Sequence, residues 1–221
     1  IIHRNPFRAI GLALRKSSLR SWIRNRPGSL TAEDWFALFY KRTLISGDLF
    51  SYFFYRFAQP RYLAALSLMT TFPKCSKPLL DLACGFGHLS HYLTECEKSH
   101  QVIGFDRNFF QLWVGKHWIA PKAHFVCGDA DLAIPFKDGS FDGVLCSDAF
   151  HYFQNKPECV DEMRRCSPNG TIILTRVGNQ LVQPNEGKEL SPRGYLDLFS
   201  NSESRALGET ALMNSYLKGM A

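Results

Sequence analysis

The stretch that constrains this chain most is DLACGFGHLS, at residues 81–90, because it has the pattern of a strand end, a tight turn and a helix start. Gly85 and Gly87 allow the turn, and Leu89 begins a helical spacing of apolar residues. A loop without β-carbons lets a ligand approach the backbone, and the helix start behind it offers N–H groups and a positive dipole end. The stretch therefore predicts a turn that binds a nucleotide-like ligand.

Four successive apolar runs end in an aspartate, and a fifth follows a Ser-Pro-Asn-Gly turn. Asp106 lies nineteen residues after Gly87, where nucleotide-binding α/β folds place an acid for ribose hydroxyls. The carboxyl ends of parallel strands line one edge of an open sheet, so these acids should face a common ligand site. The runs are 78–80, 101–105, 123–127, 141–146 and 170–177, and the aspartates are Asp81, Asp106, Asp129 and Asp148.

Taken in order, the segments DLACGFGHLS, GFDRN, CGDADLAIPF, DGSFDGVLCSDAFHYF and SPNGTIILTRV resemble the class I (Rossmann-like) S-adenosylmethionine-dependent methyltransferases. The resemblance covers about residues 60–200 and is nearest to the branch that acts on small molecules and lipids. It implies an α/β fold with a doubly wound, mostly parallel sheet in the strand order 3-2-1-4-5. It also implies an enzyme that transfers a methyl group from S-adenosylmethionine by in-line displacement.

The resemblance further implies roles for individual residues of the cofactor site. Asp81 and the loop that follows it would hold the methionine part of S-adenosylmethionine, and Asp106 would accept both ribose hydroxyls. Asp129 and the backbone of Ala130 would meet the adenine edge, and Ser147 would close the site beneath the sulfonium. The full set implied for cofactor binding is Asp81, Ala83, Cys84, Gly85, Gly87, Asp106, Arg107, Asp129, Ala130 and Ser147.

Two alternatives remain at this point. An NAD-binding Rossmann oxidoreductase shares the glycine turn and the acid, but its pattern has a third glycine three residues after Gly87, where this chain has Ser90. A catalytically degenerate module would bind S-adenosylmethionine without turnover. The family's sheet normally ends in two further strands, and no run after Val177 has strand character. We therefore expect a sheet that lacks its last two strands, or a fragment of a longer chain.

The candidate general base is His151, four residues after Ser147 and just beyond the fourth predicted strand. An imidazole exchanges protons near neutral pH, which suits an acceptor that must lose a proton. Tyr152 is a second candidate for the same role. The structural alternative is that His151 orients the loop or packs against the cofactor. The seven histidines form no ligand cluster with acids on one helix face, so we expect no metal site.

Residues 1–59 are predicted to be a separate helical segment before the methyltransferase domain at residues 60–221. Residues 1–78 hold 13 of the 26 Lys and Arg but only 3 of the 20 acids. The basic and apolar positions of residues 4–26 separate poorly on a helical wheel, so peripheral membrane contact competes with packing on the domain. Nucleic acid is disfavoured as a partner, because the positive excess is modest and no nucleic-acid module accompanies it. The aromatic residues between 50 and 57 could form a lid over an apolar or planar acceptor.

The helices of the domain are predicted from apolar spacing and from turn residues. We expect helices from Tyr62 to Met69, from about Gly87 to Cys96, from Phe109 to Ile119 and from Ser191 to Phe199. Asn155, with Pro157, should cap a further helix that has Cys159, Val160, Met163 and Cys166 on one face. The seven scattered cysteines show no CxxC spacing, which favours free thiols and a cytoplasmic location.

Overall fold

The computed structural model describes Arg56, Gln59 and residues 61–96, 101–182 and 188–219. The chain divides into two compact units, Ile1–Ala58 and Gln59–Ala221, and all described residues except Arg56 belong to the second. The predictions for the basic segment 4–26, for the aromatic lid and for membrane contact fall outside the described residues. In the part of the chain that is described, no helix is both long and apolar enough to cross a membrane.

The second unit is built on a parallel sheet of five strands in the order β3-β2-β1-β4-β5. The strands are β1 (Leu79–Leu82), β2 (Val102–Asp106), β3 (His124–Cys127), β4 (Gly143–Ser147) and β5 (Thr171–Thr175). All four neighbouring pairs are parallel. The predicted fold class and strand order are therefore confirmed. The register aligns Asp106 with Cys127 and Ser147 with Thr175, so the carboxyl ends of the strands meet at one edge.

Six α-helices accompany the sheet in the described residues. They are α1 (Arg61–Met69), α2 (His88–Cys96), α3 (Phe109–Val114), α4 (Lys156–Cys166), α5 (Pro192–Asp197) and α6 (Glu209–Leu217). A π-helical turn, Gly115–Ile119, continues α3, and a short 3-10 turn, Phe150–Tyr152, follows β4. The helices predicted from apolar spacing are thus present, although the one after Ser191 ends at Asp197 and not at Phe199.

One part of the core lies between a face of the sheet and α4. Leu80, Leu82, Phe105 and Val144 from three strands are almost wholly buried with Phe150 and Met163 in one cluster. The face of α4 predicted from its spacing, Cys159, Val160, Met163 and Cys166, is buried there as expected. The side chain of Asn155 makes no capping hydrogen bond, so the predicted side-chain cap is wrong. Its carbonyl instead accepts the first intrahelical hydrogen bond, from Cys159 N at 3.0 Å.

Two strands are shorter than their apolar runs, for local reasons. The run 141–146 begins with Phe141 and Asp142, whose N–H groups donate to the carbonyls of Cys166 and Pro78, so β4 starts at Gly143. The run 170–177 stops at Thr175, because Arg176 turns the chain with φ +52°. Positive φ is incompatible with an extended strand and directs the chain away from the sheet. This reversal decides what lies beside the fourth strand end.

Candidate functional site

The turn after β1 is built from three residues in the left-handed region. Ala83, Gly85 and Gly87 have φ of +56°, +56° and +75°. Only glycine adopts this conformation without cost, so Ala83 is held there by its surroundings. Cys84 N donates to Phe105 O at 3.2 Å, and Gly87 N donates to Cys84 O at 2.9 Å. The turn is therefore fixed to the neighbouring strand β2, and its backbone lies at the sheet edge as the glycine pattern predicted.

Asp81 lies below this turn with 2% of its surface exposed. Its Oδ2 accepts the Ser90 hydroxyl at 2.5 Å, and the Ser90 backbone N–H adds a second hydrogen bond. Burial nevertheless outweighs these bonds and raises the pKa of Asp81 to about 7. Ser90 occupies the position where a dinucleotide site needs glycine. In this structure the Ser90 side chain instead donates a hydrogen bond to Asp81.

We predict that Asp81 makes the stability of the protein depend on pH between about 4 and about 7. Between these pH values the carboxyl of the folded protein binds more protons than that of the unfolded chain, because its pKa is raised. The contribution of Asp81 to the stability of the fold is therefore largest below the pKa of the unfolded chain. That contribution is lost as the pH rises to about 7. The melting temperature of wild type minus that of Asp81→Asn should therefore fall as the pH is raised from 4.5 to 7.5.

Asp142 supplies a control of opposite sign for this experiment. The Lys77 and Ser76 N–H groups donate to its Oδ2 at 2.8 and 2.6 Å and lower its pKa. A lowered pKa stabilises the fold above the unfolded pKa, and this stabilisation is lost as the pH falls. Asp142→Asn should therefore cost most at neutral pH. If the melting temperatures of wild type and Asp81→Asn differed by the same amount at every pH, the role given to Asp81 would be contradicted.

Asp106 ends β2 and faces the glycine turn. Its Oδ2 accepts Gly85 N at 2.9 Å and its Oδ1 accepts Asn108 N at 2.8 Å. A carboxylate offers about four acceptor positions, so these two hydrogen bonds leave about one acceptor position available on each oxygen. Two neighbouring acceptors of this kind match the two hydroxyls of a ribose. The side chain is half-buried, so it is both fixed in place and accessible.

The loop after β3 carries the next predicted residues. Asp129 is half-buried, and its Oδ1 accepts the N–H of Asp131 at 3.0 Å, which closes a local turn. Ala130 packs against the core beneath the loop. Arg107, by contrast, is exposed on the outer side of the Asp106 turn. The structure thus places the backbone around Ala130 beside the sheet edge, and within the described residues no hydrogen bond or ion pair joins the Arg107 side chain to the turn.

The fourth strand end differs from the first three. Ser147 is half-buried, and its hydroxyl accepts a hydrogen bond from Thr175 Oγ1 at 2.7 Å. The next residue, Asp148, has φ +57° and pairs with Arg176 Nε at 3.1 Å. Arg176 also contacts Glu209 at the start of α6, at 3.2 Å. Asp148 therefore belongs to an ion-pair network that joins β4, β5 and α6. The expectation that all four aspartates face one ligand site stays a prediction.

His151 and Tyr152 follow in the 3-10 turn after β4. Their rings lie 4.0 Å apart between centroids, and Tyr152 is half exposed while His151 is half-buried. The Nδ1 atom of His151 is buried without a hydrogen-bond partner among the described residues. Lys156 fixes this turn from below, since its Nζ donates to the carbonyls of His151 at 3.1 Å and Phe153 at 2.7 Å. This role could not be predicted from the sequence, because the lysine lies at a helix start with ordinary composition.

The residues fit S-adenosylmethionine, the cofactor that the resemblance implies. The test is the Asp106 carboxylate, which retains acceptors for a ribose while the Gly85 N–H holds it against the turn. Asp81 is buried below the turn, so a positively charged methionine part nearby would favour its ionised form. In the described residues no group of three or more His, Cys, Asp or Glu side chains could hold a metal ion.

Residues 80–174 match the family model described as "Methyltransferase domain". Among curated proteins, the chain is similar to the demethylmenaquinone methyltransferase of Thermus thermophilus, with 31% identity over 46% of this chain and 47% of that protein. It is also similar to the phthiotriol/phenolphthiotriol dimycocerosates methyltransferase of Mycobacterium leprae, with 27% identity over 66% of this chain and 51% of that protein. The chain spans about half the length of these relatives.

Solved structures share the fold at low sequence identity. A chain of the complex between the Haloferax volcanii Trm112 methyltransferase activator and a methyltransferase superimposes with a TM-score of 0.61. It is 19% identical, and the match covers 73% of this chain and 78% of that one. The YcgJ protein of Bacillus subtilis gives a TM-score of 0.53 at 22% identity, over 63% of this chain and 67% of that one.

Proposed function

We propose, from the premise that this chain belongs to the class I (Rossmann-like) S-adenosylmethionine-dependent methyltransferases, that it methylates a small-molecule or lipid acceptor. The observation that carries the proposal is the Asp106 carboxylate, held by Gly85 and Asn108 with acceptors left for a ribose. The names of the curated relatives support an acceptor of this class, since each name states a small-molecule or lipid acceptor. The acceptor itself and the activity of the whole protein are part of the proposal.

The chain's own residues would position the reactants and exclude water. When bound, S-adenosylmethionine supplies an electrophilic methyl group on a sulfonium. Asp106 would orient the ribose, the backbone of the Gly85 turn would hold the methionine part, and Ser147 would lie beneath the reacting end. Holding two reactants in line in a dry site provides most of the rate in such a displacement. His151, at the same edge, would take the proton from an acceptor that must lose one.

The loops at the sheet edge support an apolar acceptor. Leu132 follows β3, Tyr152 follows β4, and Leu181 and Val182 follow β5, and all four side chains are exposed. Large apolar side chains on several loops around one site are typical of surfaces that bind apolar partners. Asp131 joins two of these loops, because its Oδ1 accepts Gln154 N at 2.8 Å. The acceptor would approach the methyl group across this rim.

The proposal is tested with the full-length protein and methyl-labelled S-adenosylmethionine, supplied with the organic-soluble and the aqueous fractions of a cell extract. We expect label in a product of the organic-soluble fraction. His151→Gln should lower the rate about 100-fold while leaving cofactor affinity unchanged, because general-base catalysis contributes about 10²–10⁴-fold. His124→Gln, an exposed histidine on β3, is the matched control and should keep the wild-type rate.

The outcomes separate the remaining alternatives. Cofactor binding without label in either fraction would favour the degenerate binding module. Binding of NAD in place of S-adenosylmethionine would favour the oxidoreductase. Equal rates in wild type and His151→Gln, with label transferred, would keep the methyltransferase and remove His151 as the base.

A further inference from the structure

A buried carboxylate lies beside His151 and comes from a segment distant in sequence. Glu189, between β5 and α5, has only 5% of its surface exposed. Gly178 brings it close to His151, because a β-carbon placed on Gly178 would be 2.7 Å from Glu189 Cγ and 3.6 Å from His151 Cβ. Both side chains therefore pack against one glycine, and its φ of +70° is a second reason why a larger residue does not fit there.

Several charged and polar groups among the described residues surround this place. Lys156 faces it from α4, and burial lowers the pKa of Lys156 although the charges of Asp131 and Glu189 act in the opposite direction. Lys188 adds a further positive charge nearby. Tyr195, on α5, donates its hydroxyl to the carbonyl of Val177, and burial raises its pKa, with a smaller contribution from Glu189. Glu189 thus lies among Lys156, Tyr195 and His151 at the edge of the proposed site.

The Nδ1 atom of His151 is buried and has no hydrogen-bond partner among the described residues. A buried ring nitrogen without a partner costs about 1–3 kcal/mol, so such atoms are normally satisfied by a side chain or by an ordered water. A water needs two or more polar partners, and a carboxylate nearby supplies one. An imidazole whose Nδ1–H is bound to a carboxylate is fixed in one tautomer, and its Nε2 is then free to accept a proton.

We propose that Glu189 is a positioning residue for His151, accepting the Nδ1–H of the imidazole through one water and leaving Nε2 to face the acceptor. This inference rests on the proposed function for its chemical meaning. Glu189 would not contact the acceptor or the cofactor in this role. It would act through the tautomer and orientation of His151 alone.

The test reads the tautomer of His151 by nitrogen-15 NMR of the full-length protein at pH 8, without cofactor or acceptor. His151→Gln identifies the resonances that belong to His151. In wild type we expect the tautomer protonated on Nδ1, and in Glu189→Met a mixture of both tautomers. Glu158→Met, an exposed glutamate in the first turn of α4, is the matched control and should keep the wild-type spectrum.

A second variant covers the case in which Glu189→Met does not fold. Gly178→Ala places a methyl group against Glu189 Cγ and should produce the same mixture of tautomers. If either folded variant kept the tautomer of wild type, the proposal would be overturned. The same holds if a variant showed only a lower melting temperature and no change of tautomer, since the loss of a structural pair between Glu189 and Lys156 would give that result. Because the spectrum needs no turnover, a protein that fails to methylate could still show the dependence on Glu189. That combination would contradict the proposed function only.

Discussion

Asp106→Asn is expected to weaken the binding of S-adenosylmethionine by about 100-fold or more. The carboxylate of Asp106 would accept two ribose hydroxyls, and hydrogen bonds to a charged group contribute about 1.5–3 kcal/mol each. About 2.8 kcal/mol corresponds to a factor of 100 in affinity. An amide also offers only one acceptor oxygen, so its NH₂ group would confront the N–H of Gly85 or Asn108, which now donate to the two carboxylate oxygens. The turn would then lose one of its fixed contacts.

Isothermal titration calorimetry with S-adenosylmethionine measures this effect, and the matched control is Asp161→Asn. Asp161 is an exposed aspartate of α4 that pairs with Arg164 at 3.5 Å, far along the chain from the turn. It should bind the cofactor like wild type. An Asp106→Asn variant that folds normally and binds within threefold of wild type would exclude Asp106 from the cofactor site.

Gly115→Ala is expected to destabilise the fold and to weaken cofactor binding, although alanine is the better helix former. A β-carbon at Gly115 would lie 2.5 Å from the carbonyl oxygen of Phe86 and 3.0 Å from its carbonyl carbon. Phe86 lies between Gly85 and Gly87 and is fully buried, so the turn cannot retreat without moving the core. Overpacking of this kind costs about 1–3 kcal/mol, which exceeds the gain of about 1 kcal/mol from helix propensity.

Urea unfolding measures the change in stability, and Gly208→Ala is the control. Gly208 precedes α6, has φ −73°, and a β-carbon there meets no atom within 4 Å. Its substitution should change the free energy of unfolding by no more than about 0.5 kcal/mol. If Gly115→Ala were as stable as wild type and bound the cofactor equally well, the close approach of the π-helical turn to the Gly85 turn would be important neither for stability nor for cofactor binding.

The sequence was sufficient for the strands of the sheet. Apolar runs ending in polar residues predicted five strands, and the glycine turn with Asp106 predicts the edge at which we propose the ligand site. These features are local, since a strand end and the turn after it are set by a few adjacent residues. The strand order came from the family resemblance and is confirmed by the pairing of β1 with both β2 and β4.

The rest could not be predicted because it depends on contacts between distant residues. Asp148 looks like a fourth ligand acid in the sequence, but Arg176 turns back from β5 and pairs with it. Glu189 and His151 are distant in sequence, and both pack against Gly178. Helix α6 was not predicted, since it has no buried residues of its own, and it lies against α1 at the other end of the domain sequence.

We propose that the Gly85 turn and Asp106 form a site for an adenosyl sulfonium. Calorimetric titration of the wild-type protein with S-adenosylmethionine and, separately, with NAD tests whether such a site exists. We expect one site for S-adenosylmethionine with micromolar affinity and no measurable heat with NAD. Tight binding of NAD, or no binding of S-adenosylmethionine by the folded protein, would contradict it.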